Sequence, residues 1–112
     1  MSLRAGTKVV QSFAYVDTGA EFCVFDRGIA DGLLIEPEHG TRMDFSTVAG
    51  RFRAYGHEVT IAVLDVQVHA MVYFHEDASV KRNVLGRNGW LNRVRLGLVD
   101  YDSVLYLSAY DD

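Results

Sequence analysis

Apolar residues fall on both faces of residues 8–17, with Val9, Phe13 and Tyr15 on one side of an extended chain and Val10, Ala14 and Val16 on the other. That pattern predicts a β-strand covered from both sides. A turn at Thr18-Gly19 follows, then a second strand over residues 21–25. The segment "DRGIADGLLI" predicts one short helical turn, with Asp26 as N-cap and Gly32 as C-cap. Residues 37–40 are polar and mark a loop, and residues 42–45 resume an extended path toward "STVAG".

The clearest pattern lies in the middle of the chain. "RFRAYGHEVTIAV" and "QVHAMVYFHED" are two β-rich runs separated only by Leu64-Asp65-Val66, which predicts a hairpin. In its second arm Val66, Val68, Ala70, Val72 and Phe74 share one face, and Gln67, His69, Met71, Tyr73 and His75 share the other. A sheet covered on the first face and wetter on the second is expected. Further on, a short apolar strand at Val84-Leu85 meets Gly86, a helical turn spans residues 89–92, and two strands finish the chain. No internal repeat is visible. The elements add up to an all-β chain with one or two short helices, consistent with a small closed β-barrel.

At 112 residues the chain is sized for one domain, residues 1–112, with a real core. Residues 1–7, small or polar, are expected to be flexible. The net charge of −4 is built from interspersed signs, and apolar residues interrupt the basic stretches Lys81-Arg82 and Arg93-Val-Arg95, which argues against a nucleic-acid partner. Cys23 is the single cysteine, so no disulfide can form within the chain. Set between Phe22 and Val24-Phe25, it reads as a small buried hydrophobe rather than a nucleophile. With no signal peptide and no apolar run long enough to span a bilayer, a cytoplasmic protein or a soluble domain of a longer one is expected, with no membrane segment in this chain.

One placement sits badly with a plain core strand. "AYVDTGAEFCVFD" runs an apolar strand into Asp17, and an unpartnered carboxylate there is costly or shifts its pKa upward. Asp17 is therefore either hydrogen-bonded into a turn or part of a reactive site. Asp-Thr-Gly alone is a weak signal, because such tripeptides also make simple turns. The context strengthens it: the Asp ends an apolar strand, Ala20 follows the Gly, and a second apolar strand ends later in Val84-Leu85-Gly86-Arg87-Asn88.

"VDTGA", a flap-like hairpin and "NVLGRNGWL", taken together, resemble the retropepsin-like aspartic proteases, the single-domain relatives of pepsin, and especially their bacterial members. The resemblance covers roughly residues 9–107. It implies a barrel of the acid-protease type and makes Asp17 the catalytic carboxylate. Thr18 becomes the residue whose hydroxyl grips a partner subunit, while Gly19 and Ala20 keep the corner small. Val84, Leu85 and Gly86 would support the active-site loop from below. Glu21, where relatives more often carry Asp, would pair with Arg87. The flap tip would fall at Thr47, Val48, Ala49 and Gly50. Relatives carry two strands ahead of the catalytic Asp, so the family's first strand is unaccounted for here.

Carboxylate-catalysed peptide hydrolysis needs two carboxyl groups, one ionised to take a proton from water and one protonated to polarise the carbonyl. The chain has one Asp-Thr-Gly, and "YDSV" lacks the Gly. A homodimer sharing two Asp17 residues is therefore expected, acting on an extended peptide or protein substrate without metal or organic cofactor. The alternating C-terminal run "SVLYLSAY", with Val104, Tyr106 and Ser108 set against Leu105, Leu107 and Ala109, is the expected dimer edge.

Two other classes compete with this expectation, a non-catalytic retropepsin-like module for dimerisation or peptide binding and a small β-barrel that binds a ligand. A metal site at His69 and His75 with Glu76 and Asp77 lacks zinc-type spacing and a third clear ligand, and the wetter face of a hairpin is the plainer reading.

Overall fold

The computed structural model describes residues 1–48, 50–99 and 104–109. It is mostly β, with strands β1 (Ser2–Ala5), β2 (Lys8–Gln11), β3 (Tyr15–Val16), β4 (Val24–Phe25), β5 (Thr41–Thr47), β6 (Gly50–Val63), β7 (Val66–His75), β8 (Val84–Leu85), β9 (Val94–Val99) and β10 (Val104–Ala109). One short helix, α1 (Arg27–Gly32), and 3-10 turns at Pro37–His39 and Leu91–Arg93 complete the described elements. No helix among the described residues is long and apolar enough to cross a membrane.

β1 to β8 form one sheet in the order β2-β1-β6-β7-β4-β8-β3, with β5 pairing β6 beside this path. Among the described residues the sheet is open, with β2 and β3 at its ends, so the mostly-β character is present without the closed barrel expected from the sequence. β9 and β10 pair antiparallel as a separate two-stranded sheet. Of the expected C-terminal edge, Ser103 and Tyr110 lie outside the described residues.

The N-terminus departs from expectation. Residues 1–7 hold β1 rather than a flexible tail: β1 pairs with β2 across a tight turn at Gly6 and with β6 on its other side. Two local causes are visible. Leu3 is completely buried while Arg4 is exposed, the period of a strand, and Gly6 takes the positive φ of 59° that this turn demands.

The single strand expected over residues 8–17 is two strands in different places. β2 stops at Gln11, and β3 starts at Tyr15. The buried side chain of Asn83 holds the break open: its amide donates to Ser12 Oγ and to the Phe13 carbonyl, and its oxygen accepts from Asp26 N–H at 2.8 Å. Burial on both faces also fails here, because β2 is an edge strand; Val9 is 55 % and Phe13 96 % exposed.

Asp26 caps α1 as the sequence predicts, Oδ1 accepting from Ile29 N–H at 3.2 Å. The helix ends one residue later than expected. Leu33 rather than Gly32 is the C-cap, and Leu34 adopts a φ of 57°. Ile29, Ala30 and Leu33 pack inward on a core of Leu3, Phe25, Val59, Ile61, Val72, Phe74, Leu85 and Trp90. The long hairpin is present as β6 and β7, joined at Leu64-Asp65. Its inward face, Val66 to Phe74 by twos, is buried as predicted.

Candidate active site

The Asp17 corner is built by parallel pairing of two very short strands. β3 runs beside β8 with Tyr15 opposite Val84 and Val16 opposite Leu85, and Asp17 N–H donates to the Leu85 carbonyl at 3.1 Å. The chain then turns sharply. Ala20 N–H donates to the Asp17 carbonyl, and Gly19 N–H donates to Asp17 Oδ1 at 2.9 Å. The carboxylate thus satisfies a turn donor with one oxygen, as Asp side chains commonly do. Among the described residues its other oxygen, Oδ2, has no hydrogen-bond partner. Thr18 is exposed at the tip of the turn, Gly19 is exposed beside it, and Ala20 is half-buried beneath.

The segment after β8 passes under this corner. Arg87 N–H donates to the Ala20 carbonyl at 2.9 Å and Asn88 N–H to the Glu21 carbonyl at 2.8 Å. Gly86 is buried where any Cβ would run into the Phe22 carbonyl and lie 2.9 Å from the Ala20 carbonyl oxygen, so only glycine lets the two segments come this close. Leu85 anchors the crossing in the core, while half-buried Val84 faces the cleft described below. Val84, Leu85 and Gly86 thus lie directly against the segments on either side of Asp17.

The expected Glu21–Arg87 ion pair does not form. Both side chains are exposed, and among the described residues neither contacts the other; their segments meet through backbone hydrogen bonds instead. Water solvates the two charges, which leaves little to gain from holding two flexible side chains together.

Cys23, fully buried, accepts from Gly86 N–H at 3.4 Å. Burial pushes its thiol up to about 11, partly offset by the Gly86 hydrogen bond. A thiol so placed stays protonated at neutral pH and serves packing, not attack.

Above the corner lies a cleft of about 580 Å³. Asp17, Gly19, Ala20, Glu21 and Phe22 form one wall, and the β5–β6 hairpin supplies the other through Phe45, Ser46, Thr47 and Phe52. Three phenylalanines line it beside aliphatic residues and the side chain of Arg82. Phe45 and Phe52 stack with centroids 4.8 Å apart, and Phe22 meets Phe45 edge-on at 5.7 Å. The expected flap coincides with this hairpin's tip. Val48 is fully exposed there, Gly50 holds a φ of 129°, and Ala49 lies outside the described residues.

The outer side of the hairpin is tied by charge. Arg53 Nε donates to Asp44 Oδ1 at 2.9 Å and Arg42 to Asp44 Oδ2 at 3.1 Å, and these bonds hold the Asp44 carboxyl below its usual range. Tyr55 OH donates to Glu76 at 2.6 Å, linking the hairpin to the residue that follows β7.

His75 corrects the sequence reading. It was expected on the wetter face beside His69, and His69 is indeed exposed near Glu58 and Thr60. His75 is only 6 % exposed and lines the cleft, its ring 5.0 Å from Phe52. Phe52 lies diagonal to His75 on the same face of the β6–β7 ladder, where Ala54 is the residue directly opposite, and its ring helps to cover what alternation reads as a wet face. Desolvation lowers the His75 pKa, with Asp26 and Asp77 pulling weakly the other way. Tyr73, expected on the same wetter face, is buried too, so that face is wet only from Gln67 to Met71. Among the described residues no cluster of three or more His, Cys, Asp or Glu side chains is arranged to hold a metal ion.

Compared with models of protein families and with curated proteins, the chain matches none.

Proposed function

We propose that this chain is an aspartic endopeptidase that works as a homodimer, with one Asp17 from each subunit. The observation that carries the reading is Asp17 itself. Its Oδ1 is held by Gly19 N–H, its Oδ2 has no partner among the described residues, and it stands in the wall of an aromatic cleft roofed by a hairpin. A cleft of this kind suits an extended peptide with apolar side chains around the cut.

In the proposed reaction one Asp17 is ionised and its twin protonated, because two like charges at contact distance do not both ionise. The ionised carboxylate takes a proton from water, whose oxygen attacks the peptide carbonyl carbon. The protonated carboxyl hydrogen-bonds the carbonyl oxygen as its charge develops. Collapse of the tetrahedral species breaks the C–N bond, and a proton passes to the leaving nitrogen. Thr18, exposed at the tip of the turn, grips the partner subunit. The two-stranded sheet of β9 and β10 lends edges to the dimer, and the open sheet is read as the framework of a retropepsin-type barrel.

A second reading rests on the same cleft: its apolar walls would also hold a peptide without cutting it, in a non-catalytic binding module. Casein digestion at mildly acidic pH, with and without a pepstatin-type inhibitor, separates the two, followed by sedimentation of the same samples through a dilution series. Inhibitor-sensitive cleavage that falls as the dimer dissociates supports the endopeptidase, and Thr18→Val should shift both curves to higher concentration. A monomer that still cleaves would sink the shared dyad. A dimer that holds peptides and never cuts them would establish the binding module.

A further inference from the structure

The polar group that the proposed chemistry leaves idle is His75. Its side chain is more than nine-tenths buried and lines the same cleft as Asp17, with the Phe52 ring against it. Its Nδ1 is sealed from solvent with no hydrogen-bond partner, while Nε2 is not sealed in this way. Phe or Leu would complete so apolar a wall at lower cost, since a buried polar atom without a partner weakens a fold. The orphan atom also decides the tautomer. A sealed N–H with no acceptor is costlier than a sealed lone pair, so the neutral ring keeps its proton on Nε2. The ring thereby offers the cleft an N–H donor beside Phe52, separate from the exposed guanidinium of Arg82, which also lines it.

We propose that His75 is a specificity-determining residue of the cleft, donating from Nε2 to the hydroxyl oxygen of a tyrosine side chain in the bound peptide. The inference rests on the peptide-cleft reading above. Phe22, Phe45 and Phe52 supply flat apolar walls for a ring, and His75 supplies the partner that a tyrosine has and a phenylalanine lacks. A site built to hydrogen-bond a hydroxyl discriminates against the analogue without it, because the site's own polar group is then left unpaired.

The test uses pairs of eight-residue peptides that differ only by Tyr or Phe at one position, the position being moved along the peptide from pair to pair. Binding is measured by fluorescence anisotropy to the full chain carrying Asp17→Asn, where cleavage cannot blur the result. At one position the Tyr peptide should bind about tenfold more tightly than its Phe partner, the effect of one hydrogen bond made by only one ligand. His75→Phe in the same background should erase that ratio and bind the Phe peptide at least as tightly. Equal binding at every position, a preference that survives His75→Phe, or no binding of either peptide overturns the proposal. The outcomes also separate it from the endopeptidase reading. If the wild-type chain cuts nothing while the preference and its loss are both seen, the endopeptidase fails and the specificity role stands. If peptides are cut with no preference for Tyr, only the specificity role fails.

Discussion

Gly19 N–H donates to Asp17 Oδ1 at 2.9 Å, so a carboxylate of the cleft wall also ties its own turn. The two roles have different chemical requirements. The turn needs an oxygen acceptor, and the proposed hydrolysis needs a titratable group.

Asp17→Asn separates them, because its side-chain oxygen can still accept from Gly19 while the proton chemistry is gone. The variant should unfold within about 0.5 kcal/mol of wild type and cleave nothing detectable. Urea denaturation and a peptide-cleavage assay on one preparation check this. Cleavage at the wild-type rate would return Asp17 to a purely structural part.

Glu21 and Arg87 offer a check on the charge pair that is absent from the fold. With both side chains exposed, Glu21→Gln and Arg87→Met should each change stability by no more than about 0.5 kcal/mol. Their double mutant should equal the sum of the singles to within about 0.5 kcal/mol. A coupling well above that, measured by denaturation at low salt, would show that the two charges meet in solution.

Gly86 is a position where one methyl group should matter. In Gly86→Ala the added carbon meets the Phe22 and Ala20 carbonyls, and both belong to backbone that cannot rotate away. The loss should be about 1–3 kcal/mol or more, seen as a lower urea midpoint. Any cleavage should fall with it, because the Arg87–Ala20 and Asn88–Glu21 hydrogen bonds under the Asp17 corner are strained together. A wild-type midpoint would show that the two segments can part by the width of a methyl group at no cost.

His75 ties stability to pH. Desolvation sets its folded pKa below the ordinary 6.5, against weaker opposing pulls from Asp26 and Asp77, so between the two values the unfolded chain binds the extra proton. Its contribution is complete above 6.5 and is lost as pH falls through the folded value. His75→Phe should remove this slope. Denaturation midpoints of wild type and variant from pH 7.5 to pH 5 should therefore converge toward neutral pH or cross, with wild type losing more on the acid side. Parallel curves would place the acid sensitivity elsewhere.

The sequence by itself determined whatever depends on near neighbours. The β6–β7 hairpin, the inward face from Val66 to Phe74, the Asp26 cap and the turn at Asp17 all follow from side-chain period and turn chemistry, which act over a few residues. The tertiary structure decided whatever depends on what lies across the sheet. Burial of Leu3 required β6 as a neighbour for β1, and the break after β2 required Asn83 to arrive from a distant segment. The covering of His75 required Phe52 to reach it from the neighbouring strand β6, in a cleft whose other wall comes from the Asp17 segment. Alternation along a strand distinguishes its two faces without saying which face another element will cover, and for that reason His69 and His75, alike in the sequence pattern, have opposite fates in the fold.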